Sequence, residues 1–560
     1  MKNNIPIPAF SNLYEEDPLA DAFWHYNMGE HFGAARERMT DIGSRAAEAT
    51  PFSARADKFG PVLHTHSADG ELNERVEYHP DYIRLRELGY GGGLINIKYD
   101  AESLKRFGPV RHRLGFAMGY YFAQTEIGLY CPVCMTDGVG RVLERHGRDP
   151  VCRETIRHLS STNLNELWQG AMFLTEKQGG SDVGANTATA IQESGRWLIS
   201  GGKWFCSNVD ADAALVLARM PGAEPIGTKG LGLFLVLRQV PAENFRTIRI
   251  HRLKDKLGVR SMPTGEVTLE KTEGYLIGGI GEGFKQMAEM LNLSRLYNSV
   301  ASLAGSRRAI LEAMAYGQER IAFGRPLREL PLWRSTMADL IAEHHALKFL
   351  TFATAHYLDL ADGGDENAAK MVRLLTPLTK AITGKFAIFA ASEAMELIGG
   401  NGYIEESILP RVLRDCQVLP IWEGTTNILS LDGLRVLKKH GDSFFYGEVG
   451  RLLEPAGAAA QAVQERVKSE RRFLAGLEKL PADEQERAVR TWVESASRTF
   501  CLASLLHSAG HAGLSAASNA AFTRLSARAA CTSPLGASWN PDLAKTEEAL
   551  FDSAYRARPT

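Results

Sequence analysis

The strongest constraint on the fold of this chain is a change of texture along it. Runs rich in apolar, β-branched or aromatic residues fall at 187–191, 197–200, 203–205, 214–219, 231–237, 245–249 and 266–269. Ser194-Gly195 and Gly201-Gly202 supply tight turns between them. Many short strands at brief intervals, joined by glycine turns, read as a small sandwich or barrel. On both sides the apolar period switches to that of helices, so the chain is mainly α with a central β-domain.

That switch sets four segments. Residues 1–170 form an N-terminal extension and a helical domain, with helices expected over about 104–118 and 123–133. Pro80-Asp81 opens another helix there, its aspartate helping to cap the first N–H groups, and Gly91-Gly92-Gly93 marks a loop. Residues 171–280 form the β-domain, and residues 281–440 return to long helices. Leu303, Ile310 and Met314 share one helical face, and Gly324-Arg325-Pro326 is expected to end that helix. Further helices over about 332–360 and 367–397, and one after Trp422, complete an antiparallel four-helix bundle. Residues 441–560 form an additional alanine-rich helical region whose last twenty residues read as loose.

Composition narrows the function. The 560 residues carry 64 basic and 66 acidic side chains, so no whole-chain field favours nucleic acid or an anionic membrane. Residues 441–560 hold 14 of each sign, which argues against a phosphate-tracking surface. No apolar run is long enough to span a bilayer, and residues 1–6 lack the apolar core of a signal peptide; a cytoplasmic location is the default. Cys131 and Cys134 form a CxxC, but no second pair completes a zinc site, and all seven cysteines are read as reduced. No metal site is expected.

Four strings carry chemistry. Leu174 to Asp182 runs from a strand-like end into Gly179-Gly180-Ser181, where bare N–H groups suit a ring edge or a phosphate as well as an ordinary β-turn. Lys203-Trp204-Phe205-Cys206-Ser207-Asn208 offers adjacent aromatics and a hydroxyl for a planar ring, or a core strand with a polar end. Arg320 to Gly324 supplies an arginine for a pyrophosphate and a phenylalanine for a cofactor channel, or a cation at a helix C-terminus. Ile421-Trp422-Glu423-Gly424-Thr425-Thr426, just after Gly399-Gly400-Asn401-Gly402, sets one carboxylate between apolar neighbours and a tight turn. Desolvation by Ile421 and Trp422 would raise its pKa and make it a base; the alternative is a glutamate favoured by a helix dipole.

In this order and spacing the strings LTEKQGGSDV, GGKWFCSN, ERIAFGRP, LIGGNGY and IWEGTTNI resemble those of the acyl-CoA dehydrogenase family, over roughly residues 80–440. The closer likeness is to its AidB branch, through TEKQGGSDV, the run RLKDKLG at 252–258, Trp204-Phe205, Cys131-Pro132 with Met135-Thr136, and Trp422-Glu423-Gly424. The resemblance implies a helical N-domain, a β-domain, a four-helix bundle and bound FAD. It also implies a homodimer or homotetramer with FAD at a subunit interface, and electron-transfer flavoprotein as a possible partner. Leu174, Thr175, Gly180 and Ser181 then match flavin-edge contacts, Ser181 also lying toward substrate. Phe205 and Ser207 match the aromatic and hydroxyl covering the isoalloxazine, and Arg320 and Phe323 match contacts from a neighbouring subunit. Glu396, Gly399 and Gly400 match the adenine side, although many relatives carry glutamine rather than Glu396. Thr425 and Asn427 match the pyrophosphate and ribityl side, and Arg295 matches a charge-stabilising arginine near the substrate.

Glu423 matches the catalytic base. The implied reaction is α,β-dehydrogenation of an acyl-CoA or related thioester, with Glu423 taking the α-proton and a hydride passing to flavin N5. Nitroalkane-oxidising relatives usually carry aspartate as base. Isovaleryl-type relatives move the base to the helix holding Arg295, where this chain has Ser294 at the matching position. Two other readings share these motifs: an AidB-like DNA-associated protective flavoprotein, and an acyl-CoA oxidase that returns electrons to oxygen.

Overall fold

A computed structural model describes residues 7–223, 227–530 and 542–555. They pack as two compact units, each assembled from separated stretches: 1–48, 109–125 and 298–560 in one, and 49–108 with 126–297 in the other.

The second unit is built on a barrel. Seven strands form one sheet: β3 (Gly170–Phe173), β4 (Thr189–Glu193), β5 (Arg196–Ser207), β6 (Ala213–Arg219), β7 (Leu231–Leu237), β8 (Ile248–Leu253) and β9 (Thr264–Ile277). Ahead of them a hairpin, β1 (Val62–His66) with β2 (Leu72–Glu77), turns at Gly70. In the barrel β4 pairs β5, β5 pairs β9, β9 pairs β7, β7 pairs β6, and β6 touches β4 at Thr189–Arg219, closing the ring. Closure decides between sandwich and barrel in favour of the barrel, and it leaves β3 and β8 as flanking strands on β6 and β9. Strands β6 and β7 are buried on both faces, which is why they read as unbroken apolar runs. Val216, Phe234 and Val267 pack on one side, while Leu215, Leu233 and Leu235 meet Val139, Leu143 and Met290 on the other.

Several expectations need correction here. Ser194-Gly195 is a tight turn, with φ of 50° and 80°, but Gly201-Gly202 lies inside the continuous strand β5. A Cβ at Gly201 would come within 2.6 Å of the Ala188 Cα, so this glycine permits a close backbone approach at a shift in register with β9. The expected strand at 245–249 begins instead as a short helix, Asn244–Thr247. The Asn244 amide imposes it, bonding the carbonyls of Leu237 (2.9 Å) and Glu273 (3.0 Å). The hairpin β1–β2 and strand β3 were not foreseen. The helix expected over 104–118 is broken at Gly108-Pro109 into Ala101–Phe107 and Arg111–Phe122. That expected over 123–133 starts at Ile127 and runs to His146, with the Glu126 carboxylate capping the Leu129 N–H at 3.0 Å. The helix Pro80–Gly89 is capped by the His79 Nδ1, which accepts from the Asp81 N–H, and not by the Asp81 carboxylate.

The first unit carries the bundle. Its four long helices are Gly283–Glu319 (which begins in the other unit), Pro331–Asp362, Glu366–Ile398 and Thr426–His440. Leu303, Ile310 and Met314 are buried. The first bundle helix stops at Glu319, short of Gly324-Arg325-Pro326. A two-residue hairpin follows, β10 (Ile321–Ala322) and β11 (Arg325–Pro326), made possible by positive φ at Phe323 and Gly324. Under the bundle, Phe23, Trp24, Tyr120 and Phe352 form an edge-to-face cluster beside a buried Lys348–Asp17 ion pair at 2.8 Å.

Residues after 441 are helical as expected, and they dock on this bundle. Val493 and Trp492 sit over Gly433, Ser497 donates to the Leu378 carbonyl at 3.4 Å, and Arg490 reaches Asn427. Against expectation the last stretch is not loose where it is described: Asp542–Ala554 is a helix. Its Glu547 meets Arg334 at 3.1 Å, and the Arg334 guanidinium lies over the Phe551 ring. Residues 541 and 556–560 of that stretch lie outside the described residues.

Candidate active site

The loop 174–181 leaves β3 and passes over the barrel rim. Leu174 is buried, Thr175 half-buried and Ser181 exposed. Gly180 is required by packing: a Cβ there would meet the Thr175 Oγ1 at 2.5 Å. The loop is anchored by Glu176, which is 2 % exposed. Its Oε1 accepts from the Lys203 ammonium (2.8 Å) and the Ala188 N–H (3.1 Å). Its Oε2 accepts from the Thr187 N–H (2.7 Å), the Thr187 hydroxyl (2.8 Å) and the Gln178 amide (3.0 Å). Burial alone would raise this carboxyl; the Lys203 ammonium and the other donors outweigh it and hold it at about 2. Lys203, fully buried, is pushed down by the same burial and partly restored by Glu176.

The Trp204 N–H donates to the Thr175 carbonyl at 2.9 Å, so the first two sequence motifs are stitched together. Phe205 stands 57 % exposed on β5, and the Ser207 hydroxyl lies 3.3 Å from Thr264 Oγ1. The Lys254 ammonium sits 3.4 Å over the Trp204 ring and 4.9 Å over that of Phe205, held by Glu266 at 2.5 Å. In the same unit Arg295 is half-buried on the first bundle helix and donates to Asn292 at 3.3 Å.

The other unit holds the remaining residues. Glu423 lies ahead of the fourth bundle helix, whose N-cap is Thr425, so it is not a carboxylate of the first helical turn. Its φ is +58° and that of Gly424 is +100°. A non-glycine residue in this region costs roughly 1–3 kcal/mol and persists only where its surroundings impose it. Here Asn298 donates to the Leu419 carbonyl (3.0 Å), the backbone at Pro420 presses on Gly384, and the buried Lys380 donates to the Gly424 carbonyl (2.5 Å). Trp422 is half-buried and its indole N–H is buried without a partner among the described residues. Ile421 is 61 % exposed, so it gives less apolar cover than expected, although the Glu423 Oε2 itself is buried. Asn427 accepts from Arg490 at 3.2 Å.

Arg320 is exposed at the C-terminal end of the first bundle helix and the foot of the hairpin, and Phe323 at its tip is 92 % exposed. The glycine knot is brought to the same place: Asn401 donates to the Tyr316 hydroxyl at 2.8 Å, and the Arg320 N–H donates to the Tyr316 carbonyl. Glu396, Gly399 and Gly400 are exposed there, with no heavy atom within 4 Å of a Cβ built at either glycine. Sequence reasoning did not single out Asn298, Lys380 or Lys254. Lys380 had a signal, a lone charge within the apolar and threonine-rich stretch 374–384.

Each unit by itself offers groups that suit part of a large cofactor. In the barrel unit the exposed face of Phe205 suits a planar ring. In the other unit the bare backbone at Gly399 and Gly400, an Arg320 without a carboxylate partner among the described residues and the orphaned Trp422 N–H suit its polar parts. The family follows from comparison with known proteins. Residues 171–272 match the acyl-CoA dehydrogenase middle domain, and 281–437 match its C-terminal domain. The chain is 32 % identical to acyl-CoA dehydrogenase family member 11 of Caenorhabditis elegans, covering 94 % of this chain and 88 % of the relative. Superposed on the crystal structure of C. elegans ACDH-11 in complex with C11-CoA it gives a TM-score of 0.89 at 30 % identity, over 97 % and 94 % of the two chains. The chain belongs to the acyl-CoA dehydrogenase family, whose members are FAD-dependent oxidoreductases, and it has that family's fold.

Its place within the family is the AidB-like branch. Residues 3–165 match the N-terminal domain of the adaptive response protein AidB. The putative acyl-CoA dehydrogenase AidB of Escherichia coli is 34 % identical over 78 % of this chain and 80 % of the relative. Among the described residues, no helix is long and apolar enough to cross a membrane.

Proposed function

We propose that this chain binds FAD and dehydrogenates an acyl-CoA thioester at its α,β-carbons, with Glu423 as the base. The observation that carries the proposal is the backbone at Glu423. A left-handed, non-glycine residue is held there by Lys380, Asn298 and the turn at Gly424, at the position that matches the common dehydrogenase base. An unstrained glutamate would serve a helix dipole equally well.

Glu423 takes the α-proton, which is too weakly acidic to leave without help. Help comes from donors aimed at the developing enolate oxygen, among which we assign the Glu423 backbone N–H. FAD, when bound, supplies the hydride acceptor for the β-hydrogen. Thr175, Ser181 and Ser207 present hydroxyls to its polar edge, Leu174 and Gly180 keep the loop close to it, and Phe205 covers a ring face. Arg320, Phe323, Glu396, Gly399, Gly400, Thr425 and Asn427 are assigned to the diphosphate, ribityl and adenine parts, Arg320 and Phe323 acting on a second copy of the chain in a homodimer or homotetramer. Arg295 steadies charge near the thioester. Electron-transfer flavoprotein is the proposed acceptor of the electrons.

The test is anaerobic titration of the FAD-loaded chain with short, branched, long and aromatic acyl-CoAs. One of them bleaches the flavin, and Glu423→Gln abolishes bleaching while leaving the flavin spectrum intact. Full turnover by Glu423→Gln would remove the base assignment. Steady hydrogen peroxide release without an added acceptor would replace the dehydrogenase by an oxidase.

A further inference from the structure

The first unit contains a cavity of about 620 Å³ in which none of the assigned flavin or substrate residues takes part. Its walls come from the helix Ala20–Met28, the start of Arg111–Phe122, the second bundle helix and two helices after residue 441. Only the second bundle helix belongs to a stretch matched by the family's middle or C-terminal domain. The volume is ordinary for a small-molecule site.

Three observations define what it can hold. First, most of the wall is apolar: Met28, Val110, Phe349, Leu452 and Phe500 line it. Second, each guanidinium that lines it is already matched. Arg113 donates to Asp359 (2.7 Å) and to the Pro109 and Asn27 carbonyls, and Arg451 grips Glu448 through two bonds of 2.9 and 2.6 Å. A phosphate or carboxylate placed here would therefore find no guanidinium free to pair with it. Third, three imidazoles line it. The His31 Nε2 lies 3.9 Å from the carboxylate of Glu30, the one acidic side chain in the wall. The His507 Nδ1 is bonded to the Tyr26 hydroxyl at 2.8 Å, which leaves its Nε2 for a ligand, and the His356 Nδ1 is buried without a partner among the described residues. Burial and the neighbouring Arg113 hold His356 down at about 4, and burial also lowers His507, so both rings are uncharged at neutral pH.

We infer that this cavity is a second binding site for an uncharged amphiphile, an aliphatic alcohol whose chain lies along Phe349, Phe500 and Leu452 and whose hydroxyl bonds the free imidazole nitrogens. A hydroxyl is the head group that suits either tautomer, because it both donates and accepts. The inference is independent of the flavin assignment.

The experiment is calorimetric titration of the full FAD-loaded chain with 1-octanol, octanoate and octylammonium. Octanol binds at one site per chain, and each charged analogue binds at least tenfold more weakly. Ala353→Trp, which fills the cavity, removes octanol binding; Ala353→Leu, a smaller change that keeps the fold if the tryptophan does not, weakens it. His507→Phe weakens octanol about fivefold, the loss of one hydrogen bond. Flavin absorbance and substrate bleaching stay unchanged in the Ala353 variants. No octanol binding, equal binding of octanoate, or octanol binding that survives Ala353→Trp would each overturn the inference.

Discussion

Replacing Lys203 by methionine tests how the loop 174–181 is held. Lys203 and Glu176 are both buried, with side chains 0 % and 3 % exposed, and the pair joins strand β5 to the loop 174–181. In the folded chain the Glu176 carboxyl sits at about 2 against an ordinary 4.5. That difference corresponds to about 3 kcal/mol of stability at neutral pH. The sign follows from the lowered value: the contribution is full above the unfolded pKa near 4.5 and is lost as pH falls toward 2. In Lys203→Met the main opposing charge is gone, burial dominates, and the Glu176 carboxyl rises above its ordinary value. Its cost then grows with pH, so the variant's deficit is larger at pH 7 than at pH 5. Breaking a buried pair from one side generally costs ~3–5 kcal/mol, in line with the figure from the carboxyl, and a loss of about 3 kcal/mol lowers Tm by roughly 6–12 °C for a unit of this size. The assay is thermal unfolding of Lys203→Met and of Lys203→Met/Glu176→Gln across pH 5–8. The double variant recovers most of the loss, since no uncompensated charge remains. A deficit under about 1 kcal/mol at pH 7, or a double variant no better than the single, would refute the reasoning.

Glu423→Gln is expected to lower kcat by at least a thousandfold with acyl-CoA affinity retained, read by stopped-flow bleaching; a change of less than tenfold contradicts the base assignment. Gly180→Ala forces the Thr175 hydroxyl aside and should weaken FAD about tenfold with little change in the melting of the apoprotein, measured by flavin fluorescence. Lys254→Met frees the Trp204 ring, a cation–π contact of roughly 1–2 kcal/mol, and should shift the near-ultraviolet circular dichroism of the apoprotein; an unchanged spectrum would show that Lys254 does not hold the ring. Arg320→Ala and Phe323→Ala should each release FAD more readily, by dialysis, without altering the melting of the monomeric unit, because neither side chain packs within the chain.

The β-domain was legible because β6 and β7 are apolar on both faces and the turn at Ser194-Gly195 is local. Closure of the barrel was not, because the pairings of β6 with β7 and β4 join residues with no short-range pattern between them. Gly201 was misread for a related reason: a glycine inside a strand and a glycine in a turn look alike until Ala188 is seen beneath it. The end of the first bundle helix was placed too late because the proline at 326 is a visible stop, whereas a hairpin of two-residue strands depends on Phe323 adopting positive φ. The helix Asp542–Ala554 was missed because its reason for ordering lies far off in sequence, at Arg334. For the site, residue types and spacing pointed to Glu423, but the strain at Glu423 and its struts Lys380 and Asn298 belong to the tertiary structure.

The seating of Trp492 and Val493 over Gly433 bears on how this chain can change through descent. The fourth bundle helix starts beside Glu423 and bears Gly433 midway along it, so its outward face has been shaped to accept the tail. A Cβ at 433 would sit in ordinary contact with Val493, Leu378 and Trp492, so an alanine fits there while a bulkier side chain would press on the tail. The fourth bundle helix and the appended helices thus share one packed face. A chain cut near residue 441 would expose the face around Gly433 and Leu378 that Trp492, Val493 and Ser497 now cover.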